Sequence, residues 1–121
     1  MRTSERASAS IRPLPEREQP WSEQFRIVAK QWVELDGAAR LLEETKTAVL
    51  SQKMKQLGDK PAAHAERDVK ASPEWIDFIE KMVKARTEAN LARVKMDYVR
   101  MKFSEWQASD ATARAEMRLT R

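Results

Sequence analysis

Residues 73–117 read "PEWIDFIEKMVKARTEANLARVKMDYVRMKFSEWQASDATARAEM". From Trp75 onward an apolar side chain returns at alternating steps of three and four: Trp75, Phe78, Met82, Ala85, Ala89, Ala92, Met96, Val99, Phe103 and Trp106, then Ala113 and Met117 after a break at Asp110. That spacing averages half a heptad, the mark of a coiled-coil seam, and it excludes the period of two that a strand needs. The start is marked as well. Ser72 stands at the N-cap, Pro73 at the first helical position and Glu74 in the first turn, each favoured there. The spacing predicts one helix from 73 to about 117, roughly 65 Å long.

Upstream lies a second seam: Trp21, Phe25, Val28, Trp32, Leu35, Ala39, Leu42 and Val49, with Lys46 interrupting. It predicts a first helix over about 22–57, with Ser22 as N-cap, Gly58 as C-cap and Pro61 just beyond. Gly37 lies inside this helix at a cost of about 1 kcal/mol against Ala. Residues 58–72 form a polar connection in which "AAHAER" can make a helical turn. Residues 1–20 hold Arg, Ser, Glu and three prolines with almost no large apolar side chain. They cannot offset the entropy of ordering, so a disordered basic tail is expected. The expected fold is all-α: an antiparallel two-helix coiled-coil hairpin over 21–121, oligomeric, with a disordered N-terminal tail.

A register follows if a positions face d positions. Met82 pairs with Val49, Ala89 with Leu42, Met96 with Leu35, Val99 with Trp32, Phe103 with Val28 and Trp106 with Phe25. Asp110 then falls opposite Trp21, and residues 111–121 overhang. On this reading Trp32, Trp75 and Trp106 are core, and Trp21, at the seam's edge, is the one tryptophan placed to stack on a ligand.

Beside the seam of the second helix runs a column of arginines: Arg86, Arg93, Arg100, Arg114 and Arg121, with Gln107 in the remaining place. Glu43 falls beside Arg86 and Asp36 beside Arg93, pairs that fix the alignment of two helices. Arg100 faces only Ala29, and Arg114, Arg118 and Arg121 lie on the overhang. Arg12 and Arg17 of the tail start from the same end. An arginine-rich end of this kind suits phosphate, so these six arginines are the expected nucleic-acid contacts.

The second helix carries more apolar surface than one neighbour covers. Leu91, Val94, Tyr98 and Met101 repeat at three-four-three spacing away from the seam. A helix apolar on two faces needs two neighbours, so this stripe is the expected homo-oligomer interface. The alternatives are a different protein partner, or a first helix that breaks near Gly37 and folds back over the stripe.

Composition narrows the chemistry. The chain has 121 residues, 35% of them charged, two glycines, a formal charge of +4 and no cysteine. That bounds it to one domain rich in helix formers. There is neither a membrane-length apolar run nor the apolar core of a signal peptide, so a cytoplasmic location without membrane contact is expected. One histidine, His64, sits in the connection. No metal-ligand spacing and no Gly-rich phosphate loop appears, so the protein is expected to be no enzyme and to need no cofactor or metal.

The phrases "LLEETKTAVLSQKM", "AERDVKASPEW", "VKARTEANLARVKMDYVRMKFSEWQ" and "ATARAEMRL" resemble small helical proteins encoded by phages and prophages in recombination modules, over about residues 40–119. In outline the chain is also similar to UvsY-like recombination mediators. The resemblance implies a non-enzymatic accessory factor of DNA recombination or replication that oligomerises in the host cytoplasm. It would bind single-stranded DNA beside a recombinase or another phage or host protein. The other reading open on the residues is a protein-interaction module, a phage inhibitor or adaptor of a host protein or a structural scaffold, without DNA binding.

Overall fold

A computed structural model describes residues 20–120. The tail expected over 1–20, with Arg12 and Arg17, and the last residue Arg121 lie outside the described residues, apart from Pro20. The regular structure of the described chain is all helical, in three elements: α1 (Trp21–Lys55), α2 (Ala62–Lys70) and α3 (Pro73–Leu119). Among the described residues there is no strand.

Each helix end has a local cause. The α1 helix begins one residue earlier than the sequence suggests, with Pro20 rather than Ser22 at the N-cap; proline's fixed φ suits the entry and no side chain caps it. It runs unbroken through Gly37, so the chain does not fold back there. Its end comes at Lys55. The N–H of Gly58 then donates to the Lys55 carbonyl at 3.2 Å, with Gly58 at φ +81°, a conformation that glycine alone adopts without strain. The α3 start follows its sequence signature: Ser72 Oγ accepts from the Trp75 N–H at 3.3 Å and donates to the Val69 carbonyl at 2.6 Å.

The connection is more ordered than a single turn. Nine of its residues form α2, which buries Ala65 and Val69 one turn apart against α1 and α3. Lys60 and Asp68 tie its approach at 3.1 Å. His64 lies exposed on this helix.

α1 and α3 run antiparallel. Trp21 at the head of α1 meets Phe103, Val28 shares a core cluster with Met96 and Val99, and Glu43 meets Arg86. Seam positions of α3 from Trp75 to Phe103 are all buried or half-buried. The register differs from the expected one by a heptad. Phe103 belongs with Trp21 rather than Val28, and Met96 with Val28 rather than Leu35. This slide brings position 75 level with Val49 instead of Gln56, and Trp75 is among the buried residues. It also leaves Trp106 beyond the start of α1. Trp106 is 50% exposed, so it is not a core residue.

The projection of α3 is longer in consequence. From Ser104 to Thr120 every residue is exposed except the half-buried Asp110.

A candidate nucleic-acid interface at the aromatic end

The arginine column divides into two parts. Arg86 is the structural part. Its Nε and Nη2 donate to Glu43 at 3.0 and 2.6 Å, and its Nη1 donates to Asp36 at 2.7 Å. One guanidinium thus joins two carboxylates a heptad apart on α1, which is what a register pin requires. Hydrogen bonding to Arg86 holds both Asp36 and Glu43 below the ordinary carboxylate range. The two carboxylates, Glu43 first, hold Arg86 well above its usual value. Arg93 was expected to take Asp36. Asp36 instead pairs with Arg86 and with Arg40, the latter at 3.0 Å, and Arg93 acts on it only through its field.

The rest of the column sits in different chemistry. Arg100 was expected to face only Ala29. Its guanidinium instead lies over the Phe25 ring, 5.4 Å from the centroid, and its nearest carboxylate, Asp97, is 3.8 Å away, too far for a hydrogen bond. Arg114 pairs with Asp110 at 2.9 Å, while Arg118 is exposed with no ion pair among the described residues. The expected contacts therefore do not form one cluster. At about 1.5 Å per residue, Arg118 stands roughly 27 Å along α3 from Arg100.

What gathers around Arg100 is aromatic. The head of α1 supplies Trp21 and Phe25; the facing stretch of α3 supplies Phe103 and Trp106. Trp21 and Phe103 meet with centroids 6.2 Å apart at 54°, and Phe103 stacks on Trp106 at 6.2 Å and 18°. A groove of about 540 Å³ opens here, lined by Trp21, Ser22, Phe25, Val99, Arg100 and Phe103. Lys102 lies close by. Its Nζ lies 5.9 Å from the Trp21 ring and 5.5 Å from the Tyr98 ring, within the range of a cation–π contact. Arg26, also at this end, is occupied by a two-pronged bond to Glu23 at 3.0 and 2.6 Å.

Sequence reasoning found Trp21 and Arg100 but missed Lys102, Phe25 and Phe103 as surface. The signal was present, since Phe103 and Trp106 lie near the end of a seam flanked by Lys102. It could be read only with the correct register. The four residues expected as an oligomer interface lie together on α3 and all stand open: Leu91 64%, Val94 64%, Tyr98 58% and Met101 61% exposed. Val33 and Leu41 of α1 are exposed as well. No group of three or more His, Cys, Asp or Glu among the described residues could hold a metal ion, and no described helix is long and apolar enough to cross a membrane.

No family model, no curated protein and no solved structure matches the chain.

Proposed function

We propose that the protein is a non-enzymatic accessory factor that binds single-stranded DNA at the aromatic end of a helical hairpin. The observation that carries this is two cations, Arg100 and Lys102, placed over ring faces of Phe25, Trp21 and Tyr98. Proteins that hold single strands without sequence preference combine cations along the backbone with aromatic faces on which unpaired bases stack. A duplex hides its base faces, so such a surface prefers single strands. Arg118 extends the track along α3. Arg114 is the weaker contact because Asp110 already neutralises it. The resemblance to small helical phage proteins of recombination modules would make this a step of DNA recombination or replication, beside a recombinase. Self-association of the hairpin through Leu91, Val94, Tyr98 and Met101 would multiply weak contacts on one strand.

The test is fluorescence anisotropy with labelled single- and double-stranded oligonucleotides at two salt concentrations. Three phosphate contacts per chain give a slope near −2 for a single strand, so affinity should fall about 20-fold between ~50 and ~200 mM salt. Absence of binding at the lower salt, or equal affinity for the duplex, would reject the reading.

The open stripe on α3 supports a second reading, a protein-interaction module without DNA binding. Four apolar side chains exposed on one helix face are a common mark of an interface.

A further inference from the structure

We infer that the groove between the head of α1 and α3 is a pocket for a single unstacked base of the bound DNA strand. This rests on the proposed single-strand binding and adds where, and by which part of the nucleotide, the strand is held. The groove's walls are the rings of Trp21, Phe25 and Phe103, and among the described residues the charged group lining it is Arg100. A planar, weakly polar ligand with an attached anion matches that lining: the base enters against the rings and its phosphate meets the guanidinium at the rim. Trp21 and Phe103 touch with their planes at 54° to one another, so they form an angled wall rather than a closed stack, and a flat ring can lie against one of its faces. Phe103 and Trp106 are nearly parallel, and Trp106 is half exposed, so the wall continues outward for the neighbouring base. Lys102, 5.9 Å from the Trp21 ring, provides a second positive charge for the strand leaving the pocket. The nearest carboxylate oxygen to Arg100, on Asp97, is 3.8 Å away, and Lys102 is exposed with no ion pair among the described residues, so each remains open to a phosphate.

An apolar side chain of a protein partner would use the rings but not the charges beside them. A sugar–phosphate backbone alone would use the charges but not the rings. The two requirements together select the base.

The experiment compares two strands of equal length and charge on the full chain, oligothymidylate and its abasic counterpart, with tryptophan emission and anisotropy followed together. Thymidylate should bind at least about fivefold more tightly than the abasic strand, the low end of what one stacked base contributes, and should quench tryptophan emission where the abasic strand does not. Ser22 is exposed on the groove's rim, so Ser22→Leu fills the pocket with a side chain that has no stacking face and leaves the seam intact, and Ser51→Ala, exposed near the other end of α1, is the control. The filled variant should bind both strands with the abasic affinity, and the Ser51→Ala control should behave as the parent. Equal affinity of the parent chain for both strands would overturn the pocket while leaving charge-driven strand binding in place. No binding of either strand would overturn the single-strand reading itself, and the pocket with it.

Discussion

The register of α1 against α3 decides where the aromatic end lies, and a double-mutant cycle reads it directly. Val28 and Met96 are 4% and 8% exposed and belong to one cluster. Val28→Ala removes two buried carbons, about 1.6 kcal/mol at ~0.8 kcal/mol each. Met96→Ala removes three heavy atoms, about 2–3 kcal/mol with the cavity included. Because the two side chains share contacts, the second deletion empties space that the first has already opened. The double variant should cost less than the sum by about 0.5–1 kcal/mol. Leu35 is the control. The register expected from sequence places it against Met96, whereas the observed register leaves it one heptad away, about 10 Å along the helix. Leu35→Ala with Met96→Ala should therefore add within about 0.5 kcal/mol. The assay is urea unfolding followed by circular dichroism, at several protein concentrations so that self-association does not enter the comparison. Coupling of Met96 to Leu35 and none to Val28 would refute the observed register and return Trp106 to the core.

Other perturbations bear on separate parts of the molecule. Leu91→Glu with Tyr98→Glu should lower the solution mass if α3 joins copies of the chain, and an unchanged mass by sedimentation would remove the stripe as that contact. A methyl added at Gly37 meets nothing within 4 Å, so Gly37→Ala should stabilise α1 by about 1 kcal/mol in urea unfolding; a loss would mean that another molecule packs on that face. Asp36 and Glu43 have folded-state values below their unfolded ones. Their contribution is thus present above about pH 4.3 and is lost as pH falls through the depressed values. The melting-temperature gap between the parent and Arg86→Gln should narrow from pH 7 to about pH 2.5, and a gap of constant size would show that the Arg86 pairs do not set it.

The seams were legible because burial imposes a period, and a period survives in a single sequence. The seam residues named for the stretch from Trp75 to Phe103 are all buried or half-buried, and Ile79, Arg86 and Asp97 are half-buried beside them. Register was not legible for the same reason. Sliding a heptad pattern by seven residues again brings apolar residues opposite apolar residues, so the pattern alone does not choose. Arg86 shows what does: it reaches Glu43 in both registers, but in the observed one it also reaches Asp36, which had been assigned to Arg93. The aromatic groove inherits this difficulty, since Phe25, Arg100 and Phe103 meet only once the alignment is known. The α2 helix was understated because its polar composition hid the Ala65 and Val69 pair, one turn apart.

The projecting stretch of α3 behaves unlike a peptide of its own sequence. Cut loose, Ser104–Leu119 would have to nucleate a helix in water, and at this length isolated helices are marginal. Attached, it extends a helix already started, so each added residue meets only the propagation step. Amide exchange should therefore quicken progressively from Phe103 outward rather than in one cooperative event. The tip is a zipper whose closed fraction shifts with temperature, salt or anything that grips it, while the body beneath stays folded.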